Sequence, residues 1–168
     1  MDLNLRTLAV LLALAAAAAV PPLAVAAGGD SGSASSTPAK AGDPDYTRAE
    51  KAIEAKDWPR AIELLTKVVA RDDKNADAYN YLGYAERQRG NLDIAFKHYD
   101  RALNLNPKHI GVREYLGEAY LLVGNLPKAE EQLAALDKLC TFSCSEYREL
   151  KEKIADYKDK HKSASKTG

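Results

Sequence analysis

The sequence predicts an all-α fold, an α-solenoid of three helix-turn-helix repeats followed by one further helix. Three observations predict it. Residues Ala76 to His109 are written again at a constant offset of 34: Leu82-Gly83 returns as Leu116-Gly117, Ala85 as Ala119, Gly90-Asn91-Leu92 as Gly124-Asn125-Leu126, and Ala95 as Ala129. Within each copy the apolar residues recur at steps of three and four, which places them on one helix face. Gly-Asn pairs and prolines then stand at the turns between those faces. One offset shared by seven positions is hard to obtain from composition, and a unit of this length buries its apolar face only by stacking on its neighbours.

Composition excludes several classes. The 168 residues carry 24 Lys plus Arg and 24 Asp plus Glu, so no chain-wide field draws the protein to nucleic acid. Nine tyrosines against one tryptophan and two phenylalanines make the packing aromatics mostly amphipathic. Two cysteines are too few for a disulfide scaffold, though one local bridge is possible.

The chain opens with Arg6, an apolar run from Leu8 to Val20, Pro21-Pro22 and the small-residue stretch Ala24-Val25-Ala26-Ala27-Gly28. That order is how an export signal is built, with cleavage after Ala26 or Ala27. The alternative is an uncleaved anchor, because Leu8 to Ala27 has the length of a membrane span. Residues 28–43, rich in Gly, Ser, Ala and Pro, read as a flexible linker. Export makes the protein periplasmic, whereas a retained segment tethers it to the membrane.

From about residue 44 the pattern is helical. Asp57-Trp58-Pro59 opens a helix whose apolar face is Ala61, Ile62, Leu65, Val68 and Val69. Trp58, Ala61 and Leu65 precede Leu92, Ala95 and Tyr99 by 34, so a degenerate first repeat fills about 42–75. The central repeat, 76–109, sets Tyr79, Leu82 and Ala85 on one helix against Ala95, Tyr99 and Ala102 on the next. Gly83 and Ala95 are small enough to let those helices approach closely. Pro107 stops the second helix, and the third repeat occupies 110–143.

Tyr79, Leu82, Gly83, Ala95, Tyr99 and Pro107 resemble the tetratricopeptide repeat pattern of Trp, Leu, Gly, Ala, an aromatic and Pro. Glu86 departs from it, standing where the family prefers Tyr. In the third repeat Tyr120 restores that tyrosine, while Arg113 and Thr141 replace the first aromatic and the closing proline. The resemblance covers about Gly42 to Ser143 and implies a right-handed solenoid. Ser143 and Glu146 read as a capping box opening a helix over residues 144–158, with Leu150, Ile154 and Tyr157 on its covering face. Residues 159–168 read as a disordered tail.

The resemblance also implies a protein or peptide partner held in a concave groove lined by the first helix of each repeat. Register places Tyr46, Glu50 and Ile53, then Asn80, Tyr84 and Arg87, then Glu114, Glu118 and Leu121 there, each trio stepping by four and three along one face. The alternative is that these are ordinary solvated helix positions. Some members of the family grip a C-terminal carboxylate with Lys, Arg and Asn. Here Tyr46 and Glu50 stand where that clamp needs Lys and Asn, and Glu50, Glu114 and Glu118 oppose a single Arg87. No carboxylate clamp is expected, and neutral or basic segments are preferred.

Cys140 and Cys144 lie between the third repeat and the last helix, and in an exported protein they read as a disulfide. So small a loop contributes about 2 kcal/mol at most by chain entropy. The alternative is a thiol-redox or Cu(I) site, for which two thiolates without a nearby His or Met are an incomplete ligand set. His98, His109 and His161 are spread widely and expected to be exposed. No phosphate loop, nucleophile elbow or zinc-protease motif is present, so the chain is read as non-enzymatic, without catalytic residues, metal or cofactor. The leading expectation is an exported adaptor in an envelope assembly. Thiol or copper handling is the alternative from another class, and self-association through an open solenoid edge is a third.

Overall fold

The structure, a computed structural model, describes residues 42–165, so the expected signal segment and most of the linker lie outside the described residues. Seven helices follow one another without a strand among the described residues: α1 (Pro44–Glu54), α2 (Trp58–Arg71), α3 (Ala76–Gln88), α4 (Leu92–Leu105), α5 (Ile110–Leu122), α6 (Leu126–Leu139) and α7 (Ser145–Ser165). The pairs α1/α2, α3/α4 and α5/α6 pack on each other, α2 then meets α3, α4 meets α5, and α7 lies against both α5 and α6.

Polar residues just before the helices supply the acceptors that the first-turn N–H groups lack. Asp43 accepts from the amides of Asp45 and Tyr46, Asp57 from Arg60, Asn75 from Ala78, and Asn125 from Lys128. Prolines in the first turns of α1, α2 and α6 remove a donor that would have no partner. Between the helices of each pair, one residue turns through the left-handed region: Gly90 at φ 83° and Gly124 at φ 74°. In the first repeat the residue 34 earlier is Lys56, at φ 57°. A Cβ makes that conformation costly by roughly 1–2 kcal/mol. Lys56→Gly is therefore expected to raise stability, by up to about 1 kcal/mol after the added unfolded-state entropy of glycine is counted. Chemical denaturation measures it, and an unchanged or lowered midpoint contradicts the assignment.

Gly83 is required by the packing. A Cβ built there would stand 2.5 Å from Cε1 and 2.6 Å from Cδ1 of Tyr99, so the α4 ring occupies the notch that glycine leaves in α3. Tyr99 is fully buried with Ala95, Ala102, Val112, Leu116 and Ala119. The expected close approach of α3 and α4 is thus made through Gly83 and this ring.

Glu86, the departure from the repeat pattern, is buried at 7% exposure. Its carboxylate accepts a 2.7 Å hydrogen bond from Asn91 Nδ2. Asn91 precedes α4, but its side chain makes no capping bond to that helix. One substitution therefore explains two irregularities: Asn91 serves the buried carboxylate instead of the helix end, because an unsatisfied buried charge costs more than an open cap.

The last helix differs from expectation in three ways. Ser143 takes a left-handed φ of 58° and forms no capping box with Glu146; α7 starts at Ser145, with the carbonyl of Cys144 accepting from the Arg148 amide. Its length is also greater, since the helix continues to Ser165 through most of the stretch expected to be a tail. Finally, α7 keeps the repeat register. Tyr147, Leu150 and Ile154 follow Arg113, Leu116 and Tyr120 by 34, and Leu150 and Ile154 are buried. Leu150 fills the notch at Gly117, where an added Cβ would lie 2.5 Å from its Cδ2. Lys151 stands where Gly83 and Gly117 stand in the repeats. No second helix follows α7 among the described residues to press on that position, so a long side chain is accommodated. The capping helix is thus the first half of a fourth unit.

Candidate functional site

The inner helices α1, α3, α5 and α7 are linked by side chains that reach from each to the next. Tyr46 of α1 packs on Tyr81 of α3, with ring centroids 5.8 Å apart. Asn80 of α3 projects against Gly111 of α5, its Nδ2 3.3 Å from where a Cβ would stand. Burial and the neighbouring carboxylate of Glu149 on α7 push the Glu114 carboxyl of α5 up to about 8. Asn80 and Glu114 are 6% exposed each, so these two expected groove positions face an adjacent inner helix and not open solvent. The physical reason is their place in the helix turn, which aims them along the row of inner helices.

The other expected positions are half-buried: Tyr46, Glu50, Ile53, Tyr84, Arg87, Glu118 and Leu121. Arg87 and Glu118 form a 2.7 Å ion pair between α3 and α5. The same guanidinium lies 5.3 Å from the Tyr84 ring centroid and 5.6 Å from that of Tyr115. Tyr84 contacts Tyr115 at 4.8 Å and Trp58 at 5.7 Å. Leu121 packs instead into the cluster under α7. A cavity of about 330 Å³ opens beside α1, lined by Thr47, Glu50, Lys51, Ile53, Glu54 and Tyr81.

Two inner-face residues escaped the sequence reading, Tyr81 and Tyr115. A signal for them exists, because they are themselves identical at the offset of 34. Their partial burial pushes both phenols up, so they remain neutral hydrogen-bonding groups at physiological pH. With Tyr46 and Tyr84 they make a tyrosine-lined inner face flanked by carboxylates.

His109 corrects another expectation. It is buried, at 5% exposure, with Nδ1 accepting from the Val112 amide at the start of α5. Nε2 then carries the proton and donates to Asp77 Oδ1 at 2.9 Å, tying α5 to α3. His98 is half-buried and His161 exposed.

Cys140 and Cys144 are bonded to each other, with Cα atoms 5.5 Å apart. Their loop presents Phe142 to solvent at 94% exposure. Among the described residues no group of three or more His, Cys, Asp or Glu is arranged to hold a metal ion.

Sequence comparison agrees with this geometry. A tetratricopeptide repeat family model matches residues 46–110, and a second model of that repeat matches residues 86–154, continuing into α7. The chain belongs to the tetratricopeptide repeat family. Among solved structures, this tetratricopeptide repeat protein is similar to the TPR2B domain of yeast Sti1 in its pHsp70 complex: 18% identity, TM-score 0.64, covering 69% of this chain and 94% of that one. It is also similar to the Yersinia enterocolitica type III secretion chaperone SycD in complex with a peptide of the translocator YopD: 19% identity, TM-score 0.60, 72% and 92% coverage. A third is the first TPR of Spaghetti (RPAP3) bound to the HSP90 peptide SRMEEVD, at 19% identity, TM-score 0.60, 67% and 88% coverage. Identities this low establish the shared fold. No curated protein matches the sequence significantly.

Proposed function

We propose that this protein is a non-enzymatic adaptor of the cell envelope that holds an extended or helical segment of a partner along its inner face. The observation that carries this reading is the row of half-buried tyrosines, Tyr46, Tyr81, Tyr84 and Tyr115, beside Glu50 and Glu118. Aromatic rings with a polar tip supply contact area at low entropic cost and still hydrogen-bond a peptide. Related folds lend support, since SycD and the Spaghetti repeat domain are described in complex with peptides.

The peptide class differs from SRMEEVD, which carries three carboxylate side chains. Glu50 and Glu54 on α1 would repel such a sequence, and the inner-face guanidinium that would attract it, Arg87, is already neutralised by Glu118. Neutral or basic segments fit. Export is supported by the sequence of the first residues and by the Cys140–Cys144 disulfide, a bond that persists in oxidising compartments. No helix among the described residues is long and apolar enough to cross a membrane.

Affinity capture from an envelope extract tests the reading. The wild-type chain is expected to retain a partner that a Tyr84→Ala, Tyr115→Ala variant of unchanged helicity releases, with affinity reduced about 30-fold or more, as for loss of two aromatic contacts. Undiminished capture by that variant would sink the assignment of the inner face.

A further inference from the structure

We propose that the cavity beside α1 is a socket for the side chain of an arginine carried by the bound partner. This inference rests on the inner face being the binding surface.

The chain itself shows how this face holds a guanidinium. Arg87 sits against the rings of Tyr84 and Tyr115 and pairs with Glu118, using two tyrosines and one carboxylate. One repeat earlier, 34 residues back, the corresponding four positions are Ile53, Glu50, Tyr81 and Tyr84. Two tyrosines and one glutamate again stand at these positions, with one Tyr and the Glu exchanged between helices; Tyr84 already packs on Trp58, Tyr115 and Arg87, so Tyr81 is the ring that faces the cavity. The cation is missing, and isoleucine stands where Arg87 would. The cavity of about 330 Å³ opens at this place, with Glu50, Ile53 and Tyr81 in its wall. That volume lies at the small end of ligand pockets, which run roughly 300–1,000 Å³.

Charge points the same way. Glu54 adds a second carboxylate one helical turn after Glu50, and neither forms an ion pair among the described residues. Burial raises the Glu50 carboxyl first of all, and the Glu54 and Asp77 carboxyls nearby raise it further. Lys51 lines the same cavity, but it is exposed and makes no ion pair with either acid. Asp77 is already engaged by His109. The missing component is thus a cation from outside. Arginine suits better than lysine: its flat, weakly hydrated guanidinium stacks on a tyrosine while its fork reaches carboxylates, and its methylene stem lies against an aliphatic wall such as Ile53.

The test uses acetyl-Gly-Arg-Gly-amide as the probe, titrated into the isotope-labelled chain, with citrulline and lysine versions as controls. Citrulline keeps the shape and removes the charge. The arginine peptide is expected to shift the amide signals of Thr47 to Glu54 and of Tyr81, about tenfold more tightly than the citrulline peptide. The lysine peptide should fall between them. Glu50→Gln with Glu54→Gln should abolish the preference for arginine over citrulline. Ile53→Arg should abolish the response altogether, because its own guanidinium fills the socket. Equal affinity for arginine and citrulline, tighter binding of lysine than of arginine, or signals that move only elsewhere on the chain would overturn the proposal. The adaptor reading fails separately: a partner captured through Tyr84 and Tyr115 but indifferent to both glutamine changes contradicts the socket and leaves the groove. Arginine-selective shifts, with capture unaffected by Tyr84→Ala, do the reverse.

Discussion

Tyr99→Ala is expected to be the most damaging single substitution in the array, lowering stability by about 3–5 kcal/mol, the range for deleting a buried aromatic ring. Tyr99 has no exposed surface and fills the notch at Gly83, so its removal leaves a cavity between α3 and α4 that neither backbone can close. The phenol hydroxyl contributes little to this: it lies buried beside the Arg87 guanidinium but makes no well-aligned hydrogen bond to it, and burial pushes its ionisation well up. Tyr99→Phe is accordingly expected to lie within about 1 kcal/mol of wild type, because removing an unsatisfied polar atom offsets what is lost. Urea denaturation followed by circular dichroism separates the two. Equal damage from Tyr99→Phe and Tyr99→Ala would show that the hydroxyl, not the ring, holds the helices.

The second large effect is pH-dependent and centres on Glu114. This carboxyl faces Glu118 on its own helix and Glu146 and Glu149 on α7, and burial together with Glu149 raises it from 4.5 to about 8. A carboxyl that is raised on folding binds its proton more tightly in the native state. Its stability contribution is therefore complete below about pH 4.5 and is lost progressively as the pH rises through about 8. Glu114→Gln keeps a neutral hydrogen-bonding side chain at every pH. The variant should match wild type near pH 5 and exceed it at pH 9, with the gap growing between. Thermal unfolding across that range measures it; parallel curves for the two proteins would mean that the Glu114–Glu149 contact carries no shared proton.

Periodicity made most of the fold legible. The offset of 34 fixed the three helix pairs, and the turn chemistry of Gly90 and Gly124 placed their boundaries. The same offset also pairs Tyr81 with Tyr115, and Leu116 with Leu150, which makes α7 a continuation of the array. Other features could not be read from spacing. Burial of Asn80, Glu114 and His109 depends on how close neighbouring inner helices come, a tertiary quantity set by residues such as Gly111. The helical continuation beyond residue 158 has the same character. Its strongly charged sequence has little covering face, and helix propensity with side-chain pairs along one turn extends it. At Ser143 the capping-box pattern is present, but the residue lies inside the Cys140–Cys144 loop with a left-handed backbone, and the helix starts at Ser145.

The claim on which everything else depends is that partners lie on the inner face. Site-specific photo-crosslinking reads this directly. Gln88, exposed at the end of inner helix α3 and one repeat after Glu54, and Lys97, exposed on outer helix α4, accept a photoreactive side chain without disturbing the core. In an envelope extract the probe at residue 88 should form a covalent adduct with the captured partner, while the probe at residue 97 should not. An adduct formed from residue 97 alone would place the binding surface on the outer helices and contradict the account.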